Sequence, residues 1–410
     1  MIFRRKLYLI VFLALPLAAA GQPVGDVLKG RGPFTRADTL RGALRPERDY
    51  DVRHYLLELA VSVDRKRIEG TCRMAFTRGA SLPGSLQVDL AARLALDSIT
   101  RRGHRLAFTR EGDGVRVALP PGAGGQADTI TLHYQGAPVE AANPPWDGGF
   151  VWRKDSAGRP WLGVAVQGLG ASAWWPCKDH LSDEPDSVLL RYRVPAGLMA
   201  VGNGQARGER RHADGTVTYE WAVTYPINSY NVTLNVGAYG LVRDTFRRAD
   251  GSALPLAYYV LQGNEARAAA HFQQAKPMLA CFEKYFGRYP FARDGYKVVE
   301  TPYWGMEHQS AIAYGNAYRN NAFGWDFILV HESGHEWFGN WVSVADLGDM
   351  WVHEAFTTYM EAVYVEEREG RARAQAYLDG QRRQIRNQEA IQGPLGVNFH
   401  NFSDADQYYK

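Results

Sequence analysis

From Tyr50 onward apolar and polar residues alternate in short runs. Tyr55, Leu57, Leu59 and Val61 interleave with His54, Leu56, Glu58 and Ala60, and this period of two predicts a strand with one buried face. Comparable runs occupy 85–90, 115–119, 129–134, 188–194, 217–223 and 229–236, each punctuated by Gly or Pro. Their spacing predicts an antiparallel β domain over residues 21–240, with an extended Gly-, Pro- and Arg-rich lead-in up to about residue 48.

After Val242 the pattern changes. Strands are predicted at 254–260 and 296–300, with a long helix over 264–286 between them. Gly287 closes that helix, and Pro277 predicts a kink or a break into two pieces. Residues 302–310 lead into an extended stretch at 311–314, an order that suggests an edge strand lining a cleft. Two apolar-rich helical segments follow. The first surrounds His331-Glu332-Ser333-Gly334-His335, with Phe327 to Val330 before it and Trp337, Phe338, Trp341 and Val342 after it, and is expected to be largely buried. In the second, from Met350 to Glu369, Val352, Ala355, Phe356, Tyr359, Met360 and Val363 form an apolar stripe that ends before Gly370. The chain therefore reads as α+β: the β domain, then a mixed α/β domain over 241–410.

Composition narrows the setting. Arg4, Arg5 and Lys6 precede an apolar run from Leu7 to Leu17 and then Ala18-Ala19-Ala20, the arrangement of a secretory signal peptide over residues 1–20. That run is too short for a membrane anchor. Its removal takes three positive charges from a chain of net charge +3, so no basic footprint for nucleic acid is left. The expectation is an exported protein, periplasmic or secreted. Cys72, Cys177 and Cys281 are too few and too scattered for a disulfide framework and read as small buried hydrophobes.

The candidate chemistry lies in the two helical segments. His331 and His335 stand four apart, so on a helix both imidazoles leave one face and can bind the same ion. Glu354 lies off the apolar stripe, on the Thr358 and Glu361 side, free to face the first helix as third ligand. Two imidazoles and a carboxylate are the ligand set of a catalytic zinc, one per chain, with a fourth position left open for water. Glu332 then lies beside that water as its base. The bland alternative is a surface helix with two solvated histidines, but the apolar flanks argue for burial, and buried histidines need partners. Asp349 is a candidate to orient a ligand histidine from behind.

These residues resemble the aminopeptidase N family of zinc exopeptidases, which includes the leukotriene-epoxide hydrolases. The resemblance rests on His331-Glu332-x-x-His335 with Glu354, on Trp337-Phe338-Gly339-Asn340, and on Gly305-Met306-Glu307. Weaker echoes are Trp174-Trp175-Pro176-Cys177, Asp183-Glu184-Pro185-Asp186 and Gln167. It implies a saddle-like β domain on a thermolysin-like catalytic domain, and a further helical domain that this sequence lacks; the chain is expected to be C-terminally truncated. It also implies that Glu307 and Gln167 bind the free amine of a peptide substrate, with Gly305 and Met306 in the same substrate-binding motif, and that Tyr408 stabilises the oxyanion. Two positions depart from the family pattern: His308 replaces its asparagine, and Trp304 its first glycine. His308 is read as a polar anchor for its loop.

The resulting expectation is an aminopeptidase acting on peptides with a free N-terminus. A carboxylate that must meet an ammonium is left unpaired by a blocked substrate, so Glu307 would measure distance from the N-terminus. A thermolysin-type endopeptidase, a lipid-epoxide hydrolase and a non-enzymatic scaffold with a structural zinc are the alternatives.

Overall fold

The computed structural model describes residues 45–385 and 391–392. Through residue 237 the regular elements are strands, apart from single turns of 3-10 helix. Tyr50–Ser62 pairs antiparallel with Arg67–Arg78, and a register shift between Val52 and His54 interrupts the ladder. The shift changes which parity points inward: Tyr50 and Val52 are buried before it, Tyr55, Leu57, Leu59 and Val61 after it. These strands lie near the middle of an eight-stranded sheet, which runs in the order Gln205–Arg211, Thr216–Val223, Ser187–Pro195, Tyr50–Ser62, Arg67–Arg78, Ala127–Gly136, Leu94–Arg101, His104–Leu106. Smaller sheets of three and four strands complete this half. Its core includes Leu57, Met74, Ile130, Trp174, Trp175 and Leu190, all inaccessible to solvent.

One expected strand is different. Within 229–236, Ser229–Asn231 forms a 3-10 turn, and only Asn235–Gly237 is strand. The polar side chains there have other work: Asn231 Nδ2 donates to Asn340 Oδ1 at 2.7 Å, and Thr233 Oγ1 donates to the Val164 carbonyl at 3.2 Å.

The second half opens with a five-stranded mixed sheet in the order Tyr239–Arg247, Ala253–Leu261, Tyr296–Glu300, Ile312–Tyr314, Gly305–Met306. Residues 312–314 thus lie one strand in, parallel to Tyr296–Glu300, and the edge is the two-residue strand Gly305–Met306, antiparallel to them. The helix expected over 264–286 is broken, as α1 (Glu265–His271), a 3-10 turn at Phe272–Gln274 and α2 (Ala275–Phe286). The Pro277 ring would meet the carbonyl of Gln273 in a continuous helix, which accounts for the break just before it.

α3 (Phe327–Gly334) carries the histidine motif, and α4 (Trp351–Glu369) and α5 (Arg371–Arg382) pack beside it. Asp326 caps α3 by accepting from Leu329 N at 3.1 Å. The same carboxylate accepts from Tyr314 OH at 2.5 Å and Asn316 Nδ2 at 2.9 Å, which ties the helix start to the sheet. α4 ends at Gly370, whose φ of 84° suits glycine.

Two expectations about these helices need correction. α3 itself is buried, but it ends at Gly334, and Trp341 and Val342 beyond it are 58% and 44% exposed. On α4 the apolar stripe faces inward only in part: Met360 is buried but Phe356 and Tyr359 are exposed, and the buried face also holds His353, Glu354, Thr357 and Glu361. Polar residues occupy the inner face because each of several meets a specific partner in the site. No helix among the described residues is long and apolar enough to cross a membrane.

Candidate active site

α3 and α4 bring three ligand atoms to one point. His331 Nε2 and His335 Nε2 are 3.2 Å apart, and each lies 3.5 Å from Glu354 Oε2. Bonds of about 2.0–2.2 Å to a tetrahedral ion would separate ligand atoms by roughly 3.3–3.6 Å, so the spacing fits zinc without rearrangement.

The hydrogen bonds behind the ligands decide which atoms face inward. His331 Nδ1 meets Glu361 Oε1 at 2.6 Å, and His335 Nδ1 meets the Phe338 carbonyl at 3.0 Å. Carboxylate and carbonyl can only accept, so both Nδ1 atoms carry the proton and both Nε2 atoms present lone pairs. Those lone pairs face each other and a buried Glu354 Oε2 that has no hydrogen-bond partner among the described residues. Three acceptors converging in a buried space repel unless a cation joins them. The electrostatics agree: burial alone would lower both imidazoles, yet Glu354 and Glu361 hold His331 well above its ordinary value, and Glu354 with Glu307 raises His335 to about 9. The pocket calls for positive charge, which zinc would supply.

Glu361 is an orienting group that sequence reasoning had not assigned. It stands seven residues after Glu354, two turns along the same face, and its other oxygen accepts from Tyr377 OH on α5. That spacing was a usable signal. Asp349, the residue expected in such a role, instead accepts from Gln392 Nε2 at 2.6 Å and touches neither histidine through a hydrogen bond among the described residues.

Glu332 faces the edge strand. A side chain at Gly305 would overlap Glu332 Oε1, so glycine lets the strand approach Glu332 without pushing its carboxylate aside. Burial pushes the Glu332 carboxyl up to about 8, against the lowering effect of His331 and His335. Two residues along from Gly305, Glu307 is buried, and its Oε1 accepts from Gln167 Nε2 at 2.6 Å and from Tyr230 OH at 3.0 Å. Gln167 Nε2 also lies 3.4 Å from Glu354 Oε1. The structure therefore unites Gln167, Glu307, Glu332, His331, His335, Glu354 and Gly305. Met306 is separate, with its side chain in the core shared by the two halves. Tyr408 lies outside the described residues.

The segment around Glu307 is fastened to both halves. Asn340 Nδ2 donates to the Glu307 carbonyl at 2.8 Å, and Asn340 Oδ1 accepts from Asn231 of the β half. Asn203 Nδ2 donates to the Gln309 carbonyl at 2.8 Å. Ser310, at φ 53°, gives its N–H to Glu336 Oε1 at 2.7 Å, and its Oγ accepts from Gly204 N at 2.9 Å. A non-glycine residue in this region is strained by about 1–2 kcal/mol, and the two hydrogen bonds hold it there. His308, by contrast, is not the polar anchor its position suggested. Its ring is fully buried with neither nitrogen partnered among the described residues, and burial drives its pKa down to about 3. The loop is anchored through neighbouring backbone groups, and the imidazole fills space as a neutral ring.

Known proteins resemble parts of this chain. Residues 271–410 match the model of the peptidase family M1 domain. Leucyl aminopeptidase of Saccharolobus solfataricus is 26% identical over 198 residues, 45% of this chain and 24% of that protein. Leucine aminopeptidase 2 of Eremothecium gossypii is 25% identical over 79% of this chain and 50% of its own length. The chain thus spans between about a quarter and a half of these curated relatives. The crystal structure of an M1 zinc metallopeptidase from Deinococcus radiodurans superposes with a TM-score of 0.74 at 23% identity, covering 88% of this chain and 80% of that one. A β half followed by an α/β half is the fold they have in common. The family match falls on the segment that holds the two histidines and both glutamates of the motif, so residues 271–410 carry a peptidase family M1 domain.

Proposed function

We propose that this protein is a zinc-dependent aminopeptidase that removes the N-terminal residue of peptides. The observation that carries the reading is the pairing of Glu307 with Gln167 at 2.6 Å beside the His331, His335 and Glu354 cluster. A buried carboxylate next to the candidate metal centre suits a substrate ammonium, and an endopeptidase has no use for it.

His331, His335 and Glu354 would hold the zinc, which when bound would supply Lewis acidity. Glu332 takes a proton from the attacking water at its carboxylate and passes it to the leaving amine. Glu307 binds the ammonium and so fixes the scissile bond one residue in from the N-terminus, while Gln167 and Tyr230 orient its carboxylate. Tyr408, carried over from the family resemblance, donates to the oxyanion. The pattern of residues 1–20 supports an exported enzyme, so the substrates would be periplasmic or extracellular peptides.

Replacement of Glu332 by Gln tests the reading. The zinc-loaded variant should keep its metal and lose hydrolysis of leucine amides by several orders of magnitude, and a chelator should abolish the parent activity. Hydrolysis that survives in Glu332→Gln would remove Glu332 from the proton path.

A further inference from the structure

Trp304 precedes Gly305 and is 37% exposed, although its ring belongs to an ordered stack. It lies nearly parallel to Phe327, with centroids 5.7 Å apart and planes at 24°, and Phe327 lies parallel to the His331 imidazole at 5.2 Å and 18°. Trp146, from a loop of the β half, leans against Trp304 at 6.3 Å and 60°. The indole is also held at its edge. Trp304 Nε1 donates to Asn316 Oδ1 at 3.3 Å, and Asn316 Nδ2 donates to Asp326 Oδ1 at 2.9 Å, the carboxylate that caps α3. An aromatic side chain fixed by stacking on one side and a hydrogen bond at its edge, yet still open to solvent, offers a prepared apolar surface next to the site.

Its place along the strand says what that surface would meet. Glu307 marks the substrate amine, and Gly305, against Glu332, marks the scissile bond. Trp304 comes next in the same direction, on the leaving side. Two stacking distances, 5.7 and 5.2 Å, separate the indole from the His331 imidazole through Phe327, so the indole stands one aromatic layer away from the candidate metal centre. We infer that Trp304, backed by Phe327 and flanked by Trp146, forms the subsite for the second residue of the substrate and favours an aromatic or large aliphatic side chain there. A flat apolar surface gains when a second such surface covers it and gains little from Ala or Gly. Asn316 is a positioning residue for the indole. This inference rests on the aminopeptidase reading, which supplies the direction of the bound peptide.

The test is a panel of dipeptide amides with a common free Leu at the first position and Phe, Leu, Ala or Gly at the second, cleaved by the zinc-loaded protein. The parent should prefer Phe and Leu over Ala and Gly by roughly tenfold in kcat/KM, chiefly through KM. Trp304→Ala should bring that ratio close to one, Trp304→Phe should keep most of it, and Asn316→Ala should lower it part-way. The Phe variant keeps a ring to stack on Phe327, so it stays informative if the Ala variant does not fold. Cleavage of all four peptides at similar efficiency by the parent, or a ratio unchanged in Trp304→Ala, overturns the subsite and leaves the aminopeptidase reading intact. No cleavage of any free-amine substrate overturns both.

Discussion

Gln167 and Glu307 are 140 positions apart in the chain and share a hydrogen bond of 2.6 Å. One comes from the β half and the other from the edge of the five-stranded sheet, so the candidate amine site exists only when the two halves are docked. The β half is therefore a wall of the proposed active site as well as a support for it.

Glu307 should carry most of the discrimination for a free amine. Glu307→Ala is expected to lower kcat/KM on free-amine substrates by roughly a hundredfold, the cost of losing a desolvated ion pair, while zinc content stays at one per chain. Steady-state kinetics beside metal analysis checks this. A variant that loses zinc in parallel with activity would instead assign Glu307 to metal binding, a possibility raised by its grouping with Glu332 and His335.

Glu361 fixes the His331 tautomer from behind, at 2.6 Å, and is itself held by Tyr377 OH. Removing an orienting carboxylate of this kind weakens metal binding by about 10- to 100-fold. Competition with a chelator should give that loss for Glu361→Ala and a smaller one for Tyr377→Phe. Equal affinity in parent and Glu361→Ala would mean that packing alone orients the ring.

Asn340 joins the Glu307 backbone to Asn231 of the β half. Asn340→Ala leaves a buried carbonyl and a buried amide without their partner, a cost of about 1–3 kcal/mol for each group. Thermal unfolding should fall accordingly and KM should rise, because the amine anchor is no longer held. A KM that is unchanged while stability drops would limit Asn340 to a structural role.

Acid stability offers a test away from the metal. Burial, reinforced by nearby Arg48, holds His180 at about 4, while in the unfolded chain it titrates near 6.5. Between those values the unfolded state binds the proton and the native state does not, so stability falls as pH drops from 6.5 towards 4, by about 3 kcal/mol at most. The backbone bond from Ser182 N to His180 Nδ1, 3.1 Å long, is lost when that nitrogen is protonated. Urea titrations at pH 7 and 5 should show a smaller drop in His180→Gln than in the parent. The same drop in both would place the acid sensitivity elsewhere.

The metal ligands were legible in the sequence because a helix converts spacing into geometry: a separation of four positions puts His331 and His335 on one face. The strands were legible for the same reason at period two, until Asn231 and Thr233 substituted long-range hydrogen bonds for a ladder. On α4 hydrophobicity is a poor guide to burial. Glu354, Thr357 and Glu361 are buried through specific partners, while Phe356 and Tyr359 remain exposed. Contacts such as Tyr230 to Glu307, 77 positions apart, leave no periodic trace at all. His308 was misassigned by analogy with a polar residue, although a neutral imidazole also serves as filling in a closed space.

The amine anchor is the central claim, and blocking the amine tests it most directly. Leucine amide and N-acetyl-leucine amide, each with the same fluorogenic leaving group, should be compared on the zinc-loaded protein. The account predicts that the free-amine substrate is cleaved at least about a hundredfold more efficiently, and that the ratio collapses in Glu307→Ala. Equal cleavage of the free and acetylated substrates by the parent would contradict it.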